Sequence, residues 1–179
     1  MGSGERDRSV LLSGLMGAGK SRVGRALASR LGFEFVDSDR SVEEASGMKV
    51  AEIFAREGET GFRLRERAAL EALPTHRCVV ALGGGAVAAA ENRRILADKG
   101  TLVWLDVAPE TIVERIAESE DRPLLAGLDR AGRIARLAAL RAERLSAYAE
   151  APIRVVTDGL ELSEAVSAVL AALKERGIA

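Results

Sequence analysis

The chain has 179 residues, of which 47% are hydrophobic and 30% are charged, and this composition is that of an ordinary globular protein rather than a disordered chain. Its formal net charge of −1 provides no global positive field, so we expect neither nucleic acid nor an anionic membrane as a partner. The single cysteine, Cys78, permits no internal disulfide, which fits a reducing, cytoplasmic location, and no apolar run approaches the length of a membrane span.

Short apolar runs alternate along the chain with longer segments of helical periodicity. The runs cover residues 10–12, 33–36, 79–82, 102–107 and 153–156. They are mostly aliphatic or β-branched and are bounded by turn residues, which is typical of strands buried on both faces of a parallel sheet. The alternation predicts an α/β fold with crossover helices, and the chain length fits one domain over residues 1–179.

A glycine-rich loop follows the first run. Residues 14–21 read Gly-Leu-Met-Gly-Ala-Gly-Lys-Ser and match the P-loop pattern in full, with a predicted helix over residues 22–31 after them. Glycines let backbone N–H groups point at phosphates, and the helix N-terminus adds positive potential. Lys20 can reach the β- and γ-phosphates, and the Ser21 hydroxyl can bind Mg²⁺. The loop predicts a nucleotide site but leaves a kinase, a GTPase, an ATPase motor and a regulatory binding module open.

Two aspartates, Asp37 and Asp39, follow the second predicted strand. Residues two apart on a strand face the same side, so both carboxylates are expected at the carboxyl edge of the sheet, where ligands bind in this architecture. One could support a metal ion while the other polarises an acceptor hydroxyl. The same residues also suit an acidic turn or a helix N-cap.

Two further motifs suggest an acidic acceptor. Arg63 and Glu66 are three apart on a predicted helix and can pair, so that the arginine presents its fork to a carboxylate; a solvated charged face is the alternative. Gly83, Gly84 and Gly85 end the third predicted strand, where they either let a ligand approach the backbone or form a flexible turn.

A polar segment over residues 118–132 separates a strand–helix unit from the helix predicted from residue 133 to about 148. It carries Arg122, and an arginine on a closing lid can stabilise charge on a transferred phosphoryl group; a plain surface loop is the alternative. Arg144 lies four residues before Tyr148 on the predicted helix. It is either a second arginine for an acidic acceptor or a surface residue.

Together these motifs resemble the shikimate kinase family from about residue 10 to residue 148, and Asp37-Ser38-Asp39 and Phe62-Arg63-x-x-Glu66 occur in the family's order and spacing. The resemblance implies a three-layer α/β/α fold with a five-stranded parallel sheet in the order 2-3-1-4-5. It also implies a substrate-binding region at about 40–70, a lid at about 118–130, and transfer of the ATP γ-phosphoryl group to the 3-hydroxyl of shikimate with Mg²⁺. We expect a monomer.

The resemblance also implies roles for single residues. Lys20, Asp39 and Arg122 are the expected catalytic residues, with Asp39 as the base for the acceptor hydroxyl. The expected nucleotide contacts are Gly17, Ala18, Gly19, Lys20, Ser21, Arg22, Arg115 and Arg122, and the Mg²⁺ contacts are Ser21 and Asp37. The expected acceptor contacts are Asp39, Arg63, Glu66, Gly83, Gly84, Gly85 and Arg144.

The sequence departs from the family pattern at three points. Arg22 replaces a frequent threonine, Ser146 replaces a frequent proline, and residues 158–160 lack the second adenine-contacting Arg or Gln of some members. A sugar-acid kinase such as gluconate kinase, a nucleoside monophosphate kinase and a non-catalytic nucleotide-binding module remain alternatives.

Overall fold

A computed structural model describes residues 7–116 and 125–178. At its centre lies a parallel five-stranded sheet in the order β2-β3-β1-β4-β5. The strands are β1 (Ser9–Ser13), β2 (Glu34–Asp37), β3 (Cys78–Ala81), β4 (Gly100–Asp106) and β5 (Ile153–Val156). The strand order that the resemblance implied is confirmed.

Helices cover both faces of the sheet. They are α1 (Lys20–Leu31), α2 (Ser38–Ser46), α3 (Val50–Glu71), α4 (Ala90–Lys99), α5 (Pro109–Arg115), α6 (Arg130–Ala149) and α7 (Leu162–Glu175). Among these helices, none combines the length and the apolarity that crossing a bilayer requires.

Alternation along the strands produces the three layers. In β1, Val10 and Leu12 pack into one apolar cluster with α1 and α7, whereas Leu11 packs into another with α4, α5 and α6. Successive side chains of a strand point to opposite faces, so a strand that is apolar throughout can join two cores at once. The predicted three-layer α/β/α fold is confirmed.

The two outermost strands differ from the predicted pattern. Every residue of β1 and β3 is buried, but β5 alternates, with Arg154 and Val156 exposed, and β2 is only partly covered. The expectation that all five strands are buried on both faces was therefore wrong for β2 and β5. Both are edge strands of the sheet, where burial is incomplete.

Helices α2 and α3 form a small core of their own beside the main sheet. Val42, Ile53 and Phe62 are buried together there. Within α3, Gly58 has φ 68° and ψ −172°, so the helix is kinked at this point. The kink divides α3 into an N-terminal arm and the segment that carries Arg63 and Glu66.

Candidate active site

The glycine-rich loop connects β1 to α1 and has the backbone conformation that its sequence predicts. Gly17 and Gly19 have φ values of 77° and 89°, which favour glycine, and Gly19 caps α1. The first turn of α1 carries no acidic residue, so the positive end of the helix is not neutralised by its own sequence. Ala18 is buried within the loop, and Arg22 is exposed on α1.

The side chain of Lys20 lies across this loop. It is 9% exposed, and its Nζ donates hydrogen bonds to the carbonyl oxygens of Gly14 and Leu15 at 2.9 and 2.8 Å. In the next position, Ser21 Oγ donates to Asp37 Oδ2 at 2.7 Å. The loop is therefore connected directly to the end of β2.

Asp37 and Asp39 are connected by a helix cap, which was the alternative to the predicted strand arrangement. Asp37 ends β2 and caps α2, because its Oδ1 accepts a hydrogen bond from Asp39 N at 3.2 Å. Asp39 is thus in the first turn of a helix, and the argument from strand alternation was wrong. Both carboxylates nevertheless lie at the carboxyl edge of the sheet, because α2 begins where β2 ends.

The environment of Asp39 changes its acidity. Burial, followed by the neighbouring charge of Asp37, raises the pKa of the Asp39 carboxyl to about 6, against the opposing effect of Lys20. A carboxylate with this pKa is ionised at neutral pH and is a stronger base than an ordinary aspartate.

Arg63 and Glu66 form the predicted pair on α3. Arg63 Nη1 lies 2.8 Å from Glu66 Oε2, and the Glu66 side chain is only 2% exposed. On the solvent side, Glu59 Oε1 lies 3.2 Å from Nη2 of the same guanidinium. Glu66 also accepts a longer hydrogen bond, 3.4 Å, from the buried amide of Asn92. The charged-surface alternative is wrong here, because Glu66 is buried and fixes the arginine.

The side chains of Asp39, Arg63 and Arg144 converge on the glycine run after β3. A Cβ atom on Gly83 would lie 2.5 Å from Asp39 Oδ1, and one on Gly85 would lie 3.0 Å from Arg63 Nη2. Between them, the Gly84 carbonyl accepts a hydrogen bond from Arg144 Nη1 at 2.9 Å. Gly83 and Gly85 thus leave space for side chains of α2 and α3, and Gly84 leaves space for the P-loop backbone, since a Cβ atom there would lie 3.3 Å from Met16 N.

The remaining predicted residues lie on the P-loop side. Helix α5 packs on the loop, since a Cβ atom on Gly17 would lie 2.7 Å from Ile112 Cγ2. Arg115 ends α5 and donates from Nη2 to the Thr157 carbonyl at 2.6 Å, beyond the end of β5. Arg122 and most of the predicted lid, residues 118–130, fall outside the described residues.

Three residues near the site were not assigned a role from the sequence. Ser38 is buried and its Oγ accepts a hydrogen bond from Gly83 N at 2.8 Å. Asn92, 3% exposed, donates to the Ala86 carbonyl at 2.9 Å, and Tyr148 donates to the Gly84 carbonyl at 2.9 Å. The available signal for Asn92 was its spacing of four residues before Leu96, which places a polar side chain on the buried face of a helix, and buried polar groups have partners.

Comparison with known proteins identifies relatives along nearly the whole chain. The sequence model of the shikimate kinase family matches residues 16–174. A shikimate kinase from Symbiobacterium thermophilum is 47% identical over 173 residues, which cover 94% of this chain and 98% of the relative. One from Geobacter metallireducens is 44% identical over 170 residues, covering 94% and 93% respectively.

A solved structure gives the same result in three dimensions. The shikimate kinase from Acinetobacter baumannii in complex with shikimate superposes with a TM-score of 0.86 and 34% sequence identity. The superposition covers 98% of this chain and 97% of that protein.

Proposed function

The chain belongs to the shikimate kinase family, and we propose that the convergence of Asp39, Arg63 and Arg144 on the glycine run is its acceptor site. The reaction is the transfer of the γ-phosphoryl group of ATP to the 3-hydroxyl of shikimate. ATP binds on the P-loop side of this edge of the sheet, and shikimate binds between α2, α3 and α6. Attack by the hydroxyl oxygen forms the new P–O bond as the bond to ADP breaks.

Asp39 serves as the base for the acceptor hydroxyl. Its carboxylate borders Gly83, and burial raises its pKa to about 6, so it can take the hydroxyl proton at neutral pH while remaining ionised beforehand. Lys20 neutralises charge on the phosphoryl oxygens from the loop side. Arg122, outside the described residues, is proposed to do so from the lid.

Arg63 and Arg144 hold the carboxylate of shikimate. Glu66 binds Arg63 Nη1 from the buried side, while Nη2, which lies beside Gly85, is held at 3.2 Å by the exposed Glu59, a partner that the shikimate carboxylate would replace. Arg144 is anchored through Nη1 to the Gly84 carbonyl in the same way. Two arginines held before the ligand arrives lose little side-chain entropy on binding.

Ser21 and Asp37 have the chemistry that Mg²⁺ requires. Their side-chain oxygens lie 2.7 Å apart beside the P-loop, and hydroxyl and carboxylate oxygens are the hard ligands that this ion prefers. With only these two side chains, the ion is proposed to be bound mainly by substrate phosphates and water. When bound, Mg²⁺ neutralises charge on the β- and γ-phosphates.

Other assignments concern the surroundings of the reaction. Arg115, held by the Thr157 carbonyl near the loop, is proposed to stack on adenine. Arg22 is proposed to contact the nucleotide through its backbone. A single domain over residues 1–179, an acceptor region at about 40–70, a lid at about 118–130, a monomeric state and a cytoplasmic location also stay predictions.

The Arg63→Ala variant tests the acceptor site. A hydrogen-bonded charge contributes about 1.5–3 kcal/mol, so we expect the KM for shikimate to rise about 10- to 100-fold. The Kd for ATP, measured by calorimetry, should stay within about twofold, because the P-loop is on another element. Arg65→Ala is the matched control, since Arg65 lies on the same helix but pairs with Glu57.

An equal loss of shikimate and ATP binding in Arg63→Ala would contradict the assignment. So would a similar rise in the KM for shikimate in Arg65→Ala, because the effect would then come from disturbing α3 rather than from losing one ligand contact.

A further inference from the structure

The Gly84 carbonyl has two hydrogen-bond donors, both from α6. Arg144 Nη1 and the Tyr148 hydroxyl each lie 2.9 Å from the same oxygen. A carbonyl oxygen has two lone pairs, so the two donors satisfy it fully and fix the orientation of this peptide. Any rotation of the Gly84 peptide would also move the guanidinium that it anchors.

The ring of Tyr148 is itself held firmly. Tyr148 is 1% exposed, and its ring stacks on Trp104 with centroids 5.6 Å apart and planes 13° apart. Burial raises the pKa of the Tyr148 hydroxyl above its ordinary value, against the opposing effect of the neighbouring Arg144 guanidinium, so the group stays protonated and able to donate. The hydroxyl is therefore a fixed donor rather than a mobile one.

An ion cluster around the buried Asp106 carboxylate, beside this stack, anchors α6 to the sheet. Asp106, on β4 and 4% exposed, accepts hydrogen bonds from Arg141 Nη2 at 2.9 Å and from Arg154 Nη2 at 2.6 Å. Both guanidinium groups also lie over the Trp104 ring. Because Arg141, Arg144 and Tyr148 are spaced by three and four residues, they share one face of α6. This face docks on the sheet at one end and on the glycine run at the other.

We propose that Tyr148 is a positioning residue for acceptor binding, which acts through the Gly84 peptide on Arg144. The inference rests on the proposed role of Arg144 as a ligand of the shikimate carboxylate. Tyr148 itself is not proposed to contact the acceptor. Its hydroxyl keeps the Gly84 carbonyl aimed at α6, so that Arg144 binds the carbonyl with one N–H and offers the rest of its fork to the ligand.

The test uses the full-length Tyr148→Phe variant, which removes one oxygen atom and keeps the ring stack. The Kd for shikimate is measured by calorimetry without nucleotide, and the KM values for shikimate and ATP are measured in a coupled assay. Ser9→Ala is the control, because Ser9 is also buried and its hydroxyl donates to the Pro74 carbonyl at 3.0 Å. Ser9 begins β1, at the end of the strand away from the P-loop.

We expect Tyr148→Phe to raise the Kd and the KM for shikimate about three- to tenfold, with the KM for ATP unchanged. Ser9→Ala should leave all three values unchanged even where it lowers the melting temperature. In an Arg144→Ala background, the Tyr148→Phe substitution should produce no further rise, since its effect passes through Arg144.

If Tyr148→Phe binds shikimate with wild-type affinity while Arg144→Ala binds it more weakly, this inference is overturned and the proposed function stands. The same fold-change in the Arg144→Ala background would also overturn it, because Tyr148 would then act by another route. If Arg144→Ala bound shikimate normally, the proposed acceptor site and this inference would both be wrong.

Discussion

At the level of single residues, the proposed chemistry depends most on Asp39. Its carboxyl has a pKa of about 6, raised first by burial and then by Asp37. Only the ionised form can accept a proton, so activity should be lost as the pH falls through this value. We expect kcat/KM for shikimate, at saturating ATP, to fall about tenfold per pH unit below pH 6.

The matching variant is Asp39→Asn, which should lower kcat by about 10²- to 10⁴-fold at pH 7.5 and abolish the acidic limb of the profile. Asp98→Asn, at an exposed position on α4, is the control and should keep the wild-type profile. A wild-type profile that stays flat from pH 7 down to pH 5 would contradict the role of Asp39.

The raised pKa of Asp39 also affects folding stability, and the sign is opposite to that of a salt-bridged aspartate. The native state binds the proton more tightly than the unfolded state, whose pKa is near 3.8. Ionisation of Asp39 therefore lowers the free energy of unfolding progressively as the pH rises from 3.8 to about 6. Above pH 6 the total loss is about 3 kcal/mol at most. Asp39→Asn should melt about 5 °C higher than wild type at pH 8, with little gain at pH 4.

Thermal unfolding followed by circular dichroism at the two pH values measures this difference. An equal shift at pH 4 and pH 8 would show that the substitution changes packing rather than removing the cost of a buried charge.

Two glycines of the run after β3 should affect different kinetic constants. In Gly83→Ala the new Cβ would meet Asp39 Oδ1 at 2.5 Å, whereas in Gly85→Ala it would meet Arg63 Nη2 at 3.0 Å. We therefore expect Gly83→Ala to lower kcat at least tenfold by displacing the base. Gly85→Ala should mainly raise the KM for shikimate, and steady-state kinetics of the pair separates the two roles. Identical effects on both constants would contradict this assignment.

At the level of elements, periodicity predicted most of what the structure contains. The five strands lie where apolar runs occur, and α1 ends at Leu31, followed by Gly32 in the left-handed conformation at its C-cap. The charged Arg154 was a signal that one face of β5 is exposed, but the exposure of Val156 could not be read from its sequence, because it follows from the position of β5 at the edge of the sheet. The kink of α3 was also missed, since Gly58 and Gly61 both lie within its helical segment and a glycine inside a helical pattern does not by itself mark a kink.

This kink offers a test that depends on the backbone alone. Gly58 and Gly47 both have open space for a Cβ atom and nearly equal φ values, 68° and 67°. Gly47, with ψ 12°, is in the left-handed region, but Gly58, with ψ −172°, is in a region populated almost only by glycine. We expect Gly58→Ala to lower the melting temperature by about 4–10 °C and Gly47→Ala by about half as much.

Differential scanning calorimetry of the two variants measures these values. An equal loss of stability in the two variants would mean that the backbone conformation at Gly58 is no more costly for a residue with a side chain than the left-handed conformation at Gly47.

At the level of the whole molecule, the site is assembled from segments far apart in sequence. The motifs around Lys20, Asp39 and Arg63 could be predicted because each is short and has a pattern of its own. The cluster of Arg141 and Arg154 on Asp106 could not, since its members are 35 and 48 residues from the aspartate and belong to no motif. Such contacts depend on the order of strands in the sheet, which only the family resemblance supplied.

The whole site is proposed to select shikimate as the acceptor of the phosphoryl group. The most direct test is coupled ADP release by the full-length chain with ATP and Mg²⁺, comparing shikimate, gluconate, a nucleoside monophosphate and no acceptor. We expect turnover with shikimate alone, since the paired arginines and Asp39 are arranged for a hydroxylated acid. ADP release driven by gluconate or by a nucleoside monophosphate, or none with shikimate although ATP binds, would contradict the claim.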